Sequence, residues 1–434
     1  MPPPVNYTAQ SAIAVMRQVI DTNIELSQNL DVGLDRRIAT ISAYNVGTEK
    51  FRAPIQVDAG GQVSGLAPDG GPLPQGNGAE YLQFIIVPVS HDVAIASTDL
   101  MNRISEDSGA GDQRVIITDV VARLIAKAKT KMAHFRNCLL QGYNQGILAT
   151  VDASYAAVNP VPLTMLSFGN RLLDLNNVYQ VTDANLNVIG QVTVLAKSKP
   201  TGATVDTVTL DNLPAALAEG CFFIPINYAS GAPVGPAGLQ YIITATQAGD
   251  MFGVQRTVEQ TQAASADAGT APLSLGVIDA LEVRKSLSNG VDDEMEASFY
   301  YANPVQRVTA NQLGFAKRAE LNSPGQTTET FDISPNRRRP WMIGGKEVQE
   351  DSVAAVDYLY DVCPGLLGKA RYPASQKFMT GPIKGFWYQR MVNGQHTTTY
   401  DAHFQDSWTV YTRKPWKHAV AHNLGLNAAL TVAA

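Results

Sequence analysis

The sequence predicts an α+β protein organised around one long hairpin and one long helix. Three stretches carry that reading. Residues 46–95 pattern as two strands joined by a glycine- and proline-rich tip, residues 112–141 as one amphipathic helix, and residues 160–425 as a mixture of short strands and helices. The chain has 434 residues, 45% hydrophobic and 17% charged, enough to bury a large core. At about 100–200 residues per domain, two or three structural units are expected.

Residues 5–30 place Ile13, Met16 and Ile20 at helical spacing in a short, polar-rich segment, which reads as an arm that takes its packing from elsewhere. "FRAPIQV" then alternates, with Phe51, Ala53, Ile55 and Val57 on one side and Arg52 and Gln56 on the other. That is the period of a half-buried strand. "YLQFIIVPVSHDV", residues 81–93, is strand-like by its aromatic and β-branched content. Between them, residues 58–80 hold seven glycines and three prolines, a composition that forbids a helix or an inner strand. A lone hairpin is marginal in water, so this one is expected to lie against another surface.

The helix of 112–141 begins at Asp112, an N-cap residue, and stops at Gly142. Its stripe is Ile117, Val120, Val121, Leu124, Ala128, Met132, Phe135 and Leu139. Lys127, Lys129, Lys131 and Arg136 gather in its C-terminal half, where cations suit the helix dipole. Beyond it, "LTMLSFGNRLLDLNN" patterns as a helix. "QVTVLAKSK" and "TVDTVTLDN" read as a hairpin around Gly202, and "GCFFIPI" as a buried strand. A second helix runs from near Pro272 to Gly290, "EASFYYANPVQRVTANQLG" reads as strand, turn and helix, and residues 380–425 are strand-rich.

Little in the sequence points to chemistry. A net charge of −6 argues against a dedicated nucleic-acid binder. No apolar run approaches the roughly 18 residues of a membrane helix. Three cysteines, Cys138, Cys221 and Cys363, are too few and too scattered for a disulfide framework and suit a reducing compartment. "PGLLGKA" has two residues between Gly365 and Gly368, and Ala370 where a phosphate loop needs a hydroxyl, so it is a chance match. No Gly-x-Ser-x-Gly, His-Glu-x-x-His or Cys-x-x-Cys occurs. His418 and His422 are four apart without a third ligand nearby and read as a surface or interface pair. His396 and His403 sit in strand-rich sequence, also without a ligand partner. "DDEME" (292–296) reads as a solvated turn and "NRRRP" (336–340) first as a solvated loop. Cys138 extends the apolar stripe and reads as core. No catalytic, cofactor-binding or metal-binding residue is assigned, and no cofactor is expected.

The order of features, namely arm, hairpin with glycine-rich tip, long helix, mixed region and strand-rich close, resembles the major capsid proteins of tailed bacteriophages, with their Hong Kong 97-type fold. "ASFYYANPVQRVTANQL" is similar to that family's strand, Asn-Pro and helix, and "DSWTVYTRKPWKHAVAHNLG" to its closing strand. The resemblance implies an N-terminal arm (1–45), an extended E-loop hairpin (46–98) and a peripheral P-domain with its spine helix (99–159). It further implies an axial A-domain (160–380) and a return to the P-domain with a C-terminal strand (381–434). It implies a shell subunit that assembles with itself into hexamers and pentamers of an icosahedral head. The place is the virion, built in the host cytoplasm. A portal, a decoration protein and weakly, non-specifically held DNA are the implied partners, with no membrane. The tip residues Gly60, Gly61, Gly65, Leu66, Pro68, Gly70, Gly71 and Leu73 become contacts to a neighbouring subunit. Lys127, Lys129, Lys131, Arg337, Arg338 and Arg339 become inner-surface or capsomer contacts.

Two departures matter. Some members link an E-loop lysine covalently to a neighbour, but no lysine lies between Phe51 and Met101, so a non-covalent shell is expected. Some begin with a scaffold-like segment of about a hundred residues. Here the hairpin starts by residue 46, so either a separate scaffolding protein is expected or the segment is missing from this sequence. The alternatives are an encapsulin-like compartment of the same fold, an enzyme whose site converges from distant residues, and another virion component.

Overall fold

The computed structural model of the chain describes residues 33–42, 51–58, 80–97, 113–164, 168–198, 205–244, 249–257, 261–288, 297–306, 341–343, 346–372, 377–378, 387–392 and 395–425. The arm before residue 33, the tip at 59–79, "DDEME" and "NRRRP" lie outside them.

A short helix α1 (Gly33–Arg37) buries Leu34 and leads into β1 (Ala39–Ser42). The hairpin follows: β2 (Phe51–Asp58) pairs antiparallel with β3 (Glu80–Ile86), Phe51 opposite Ile86. Alternation sorts its faces as expected, with Ala53, Ile55, Phe84 and Ile86 buried and Arg52, Pro54, Gln83 and Ile85 exposed. The hairpin is shorter than the sequence reading. Residues 81–93 divide at Val87 and Pro88, and β4 (Val89–Ser97) leaves the hairpin for another sheet. Pro88 has no N–H to give to a ladder, which ends the first pairing there.

Helix α2 (Gln113–Gln141) matches its expected bounds within a residue. At about 1.5 Å per residue it is a rod of roughly 44 Å. Its Ala128 and Met132 pack with Val93 of β4 and with Phe404. The latter belongs to β21 (Gln395–Thr412), an 18-residue strand at the centre of the first sheet. One edge of β21 holds β4. The other holds, in succession, β20 (Trp387–Val392), β19 (Lys377–Phe378) and β18 (Leu367–Arg371), and β1 runs parallel to β18 on the far side.

Between α2 and the last sheet the chain builds a barrel. Its strands are β5 (Ala149–Thr150), β6 (Val161–Thr164), β7 (Val178–Thr182), β8 (Val188–Lys197), β9 (Val205–Leu210) and β10 (Phe222–Pro225), in the order β5-β10-β7-β8-β9-β6. The ring closes through a bridge between Val151 and Leu163 and a bond from the Asp152 N–H to the Pro162 carbonyl at 3.0 Å. Val161, Leu163, Val181, Val192, Val194 and Val208 are buried by it. The hairpin read around Gly202 is β8–β9, and the buried strand is β10.

"LTMLSFGNRLLDLNN" is not a helix in its described residues: it gives β6 and then turns. Val161 and Leu163 complete the barrel wall against β9, and the turn places Leu172 and Leu173 in the core. Asp206 holds that turn by accepting the Asn170 N–H at 3.1 Å, and the Asn170 side chain donates to the Ser198 and Thr207 carbonyls. At Gly169, φ is +56° and a Cβ would run into the Asp206 carboxylate, so only glycine fits.

A short helix α3 (Leu239–Ile242) then seats Gly238 on the end of α2, and a small pair, β11 (Asp250–Met251) with β12 (Val254–Gln255), follows. The last sheet contains β13 (Ala264–Asp267), β14 (Phe299–Ala302), β15 (Trp341–Ile343), β16 (Lys346–Glu350), β17 (Leu359–Val362) and β22 (Ala419–His422). Its order is β13-β22-β17-β14-β16-β15, and α4 (Leu275–Ser288) packs Ile278 and Leu281 onto it. Residues 381–434 therefore divide between two sheets, β20 and β21 in the first and β22 in the last. One core cluster joins Leu34, Phe84 of the hairpin, Phe223 of the barrel and Trp408 of β21.

Candidate assembly surface and its buried anchors

The base of the hairpin is fastened to the body. The Phe84 ring meets Phe252 edge-on at 5.7 Å, and the Ile85 N–H donates to the Phe252 carbonyl at 2.8 Å. On the other strand Phe51 lies 5.3 Å from Tyr411. The outer side is apolar in part, since Ile85 and Val87 are 41% and 44% exposed. Thus the inner face is committed to this chain's own core, and the outer face is left exposed. The eight tip residues expected to touch a neighbour, Gly60 to Leu73, lie outside the described residues.

Beneath the sheet lies a buried ion network. Arg136 of α2 bonds Asp35 of α1 at 3.1 Å through Nη2 and Asp406 of β21 at 2.6 Å through Nη1. From β18, Lys369 reaches Asp35 at 2.5 Å and Arg371 reaches Asp406 at 3.3 Å. Burial pushes the Asp35 carboxyl up, but Lys369 and Arg136 outweigh it and hold it below the usual carboxylate range. Three cations face two carboxylates. Burial wins at Lys369, whose ammonium is drawn down to about 8 against the pull of Asp35. The network ties α1, the long helix and two strands into one unit.

A second network lies against the last sheet. Lys285 of α4 and Lys346 of β16 both bond Asp361 Oδ2, at 2.7 and 2.9 Å, and Lys346 also bonds Glu282 at 2.6 Å. The Tyr300 hydroxyl donates to Glu282. Beside it His418 is fully buried, its Nδ1 accepting the Cys363 N–H at 3.2 Å and its Nε2 facing Thr412 Oγ1 at 3.3 Å. That pattern fits the neutral ring with its proton on Nε2. Burial, seconded by Lys285, pulls its pKa down to about 3. His91 of β4 is also buried, its Nε2 2.8 Å from the Tyr228 hydroxyl, and burial lowers it to about 4 against the pull of Asp406.

Several sequence expectations change here. Lys129 does not share a polar side with Lys131: it is buried, next to Ala128 on the packed face, whereas Lys131 is exposed and bonds Asn177 Oδ1 at 2.6 Å. The Lys127 side chain and Arg337, Arg338 and Arg339 lie outside what is described. Arg136 answers to two carboxylates rather than to the helix dipole. His418 is a core group, not a surface one, while His422 Nδ1 lies 4.0 Å from Asp267. His403 pairs with Asp92 at 2.6 Å. Cys138 is buried as expected, and burial raises its thiol pKa, which makes it a poor nucleophile. Among the described residues no three His, Cys, Asp or Glu side chains gather as a metal site. Sequence reasoning missed Asp35, Asp406 and Lys369. Lys369 and Arg371, two cations on one side of a buried strand, were the available signal.

No protein-family model matches the sequence, and no curated protein does. Among solved structures the chain is similar to the capsid asymmetric unit of cyanophage A-1(L), at 9% identity over 92% of this chain and 95% of that one, with a TM-score of 0.48. It is also similar to the capsid of a native GTA particle, at 9% identity over 91% and 90%, TM-score 0.44. The SrpI encapsulin of Synechococcus elongatus PCC 7942 is similar at 8% identity over 90% and 87%, TM-score 0.39. The chain is an α+β protein in which hairpin, long helix, barrel and last sheet follow one another, and capsids and an encapsulin are among the solved structures it is similar to.

Proposed function

We propose that this chain is a structural shell subunit, a major capsid protein of the Hong Kong 97 type, which assembles with itself into hexamers and pentamers around packaged DNA. The observation that carries the reading is the β2–β3 ribbon. It is a two-stranded sheet of its own, anchored at its base through Phe84, Ile85 and Phe51, and it precedes the long helix that braces the β4–β21 sheet. A two-stranded ribbon gains little stability alone, and an arm of this kind is suited to adding contacts, and strand edges, to a neighbour. The eight tip residues from Gly60 to Leu73 belong to that contact, with glycines admitting close backbone approach. Lys131 is a site for the inner surface or a neighbouring capsomer, alongside Lys127, Arg337, Arg338 and Arg339. The acidic balance of the chain suits a container that holds DNA weakly. Assembly in the host cytoplasm with a separate scaffold, a portal and a decoration protein completes the proposal.

The test replaces residues 59–79 by an Asn-Gly turn. The shortened chain is expected to keep its thermal unfolding transition and to lose assembly, read by electron microscopy and sedimentation. Normal shells from that variant would overturn the role given to the tip. Nucleic acid inside particles of the full chain supports the phage reading, and protein cargo favours the encapsulin-like one.

A further inference from the structure

Arg256 follows directly on β12, and its N–H closes the small β11–β12 pair by donating to the Gly249 carbonyl at 3.0 Å. Gly249, Asp250, Gln255 and Thr257 around it are exposed, yet Arg256 itself is only 1% exposed. Its Nη2 donates to the Tyr241 carbonyl at 2.5 Å, and the guanidinium carbon lies 4.8 Å from the centre of the Tyr241 ring. That ring is fixed in turn. It meets Tyr143 and Phe252 edge-on at 5.1 and 5.2 Å, and its hydroxyl accepts the Phe252 N–H at 2.8 Å and donates to the Asp250 carbonyl at 3.2 Å. Among the described residues no carboxylate pairs with Arg256, and its Nε is buried without a hydrogen-bond partner. By contrast Arg136, Lys285 and Lys369, also buried, each bond a carboxylate.

From this arrangement we infer that Arg256 is the floor of an oxyanion site, which takes a phosphate or carboxylate group that the chain does not itself supply. A guanidinium has five N–H donors and does not shed its proton, so burial cannot neutralise it. Keeping that charge out of water without a counter-charge is costly. The Tyr241 carbonyl and ring face offset part of the cost, but neither carries negative charge. An oxyanion supplies it and fills the idle donors with charge-assisted bonds. The fork is planar and already held by Tyr241, so little freedom is lost when the ligand arrives. Its surroundings are dry, which strengthens the attraction over that at an open surface. The group also lies one side chain below exposed backbone, within reach of an anion from solution or of a carboxylate on a second copy.

The place of the site gives it a consequence. Phe252, between β11 and β12, packs on Phe84 and accepts the Ile85 N–H, so it anchors the base of the β2–β3 ribbon. A ligand that neutralises Arg256 steadies the Tyr241–Phe252 stack and, through it, that base. The site is inferred from this chain alone and does not depend on the shell reading.

Equilibrium dialysis of the full-length chain against labelled inorganic phosphate, at fixed ionic strength, tests it directly. The expected result is saturable uptake with a matching rise in the thermal unfolding midpoint, both lost in Arg256→Met. Arg256→Lys keeps the charge as a point without the fork and should retain weaker uptake, which separates loss of the site from loss of the fold. If phosphate is not taken up, a midpoint that rises with protein concentration in phosphate-free buffer for the parent, but not for Arg256→Met, identifies a second copy's carboxylate as the source. Equal phosphate uptake by the parent and Arg256→Met would place the binding elsewhere and overturn the proposal. Neither uptake nor a concentration-dependent midpoint would overturn it as well. Glu259 lies outside the described residues. Phosphate uptake that appears only in Glu259→Gln would show that the chain supplies its own carboxylate, which also overturns the proposal.

Discussion

Arg136 sits where the N-terminal segment, the long helix and the first sheet meet, and its removal leaves buried Asp35 to Lys369 and buried Asp406 to Arg371. Arg136→Met is therefore expected to cost about 1.5–3 kcal/mol, the loss of charged hydrogen bonds from a network that keeps one cation for each carboxylate, read as a lowered denaturant midpoint at unchanged slope. The two buried histidines set an acid dependence. Folded His91 and His418 have pKa values of about 4 and about 3, against 6.5 for the free side chain. Their contribution to stability is complete above pH 6.5 and is lost as pH falls, because the unfolded chain takes up protons that the folded chain refuses. Between pH 6.5 and 5, before the carboxylates enter, stability should fall by up to about 1.4 kcal/mol per pH unit for each histidine. His91→Gln should halve that slope in denaturant titrations. An unchanged slope would place the proton uptake elsewhere. At this scale the sequence was least legible. Cys138 was readable because its neighbours at helical spacing are apolar, but in the ion network Arg136 is 101 residues from Asp35 and 270 from Asp406, and Lys369 is 334 from Asp35.

 Nothing local in the sequence announces a pairing between groups so far apart along the chain, and only the folded sheet brings them together.

Among the elements, those with a clear period were legible. The α2 stripe, the alternation of β2 and the β8–β9 hairpin follow from local spacing, and the structure has them where that spacing puts them. Elements whose form is set by distant partners were not. The segment 163–177 has leucines at helical intervals, yet β9 claims Leu163 for a barrel wall and Asp206 fixes the turn that follows. Pro88 divides what reads as one strand, because β21 offers β4 a better partner than the hairpin does. Close packing between elements gives a further expectation at Gly238. A Cβ there would run into the carbonyls of Gly142, Leu139 and Leu140 at the end of α2. Gly238→Ala should therefore lower stability by about 1–3 kcal/mol, measured by thermal unfolding, although φ of −112° suits any residue. An unchanged midpoint would mean that the α2–α3 contact relaxes freely.

For the whole molecule, the order of elements was the legible feature, and it persists in the structure as hairpin, long helix, mixed region and strand-rich close. The barrel was not legible as a barrel, since its closure depends on the bridge between Val151 and Leu163, on the Asp152–Pro162 bond and on β5, a strand two residues long. A shell built from this chain should be non-covalent, because no lysine lies between Phe51 and Met101. Purified particles boiled in detergent should run as single chains, and a ladder of covalent multimers would contradict that. The central claim, that the chain is a self-assembling shell subunit, is tested most directly by electron microscopy of the purified full-length chain over a range of concentrations. Rings of five or six copies, tubes or closed polygonal shells are the predicted result. Dispersed single chains of 46.6 kDa at every concentration, both alone and after co-expression with a scaffolding protein, would contradict it.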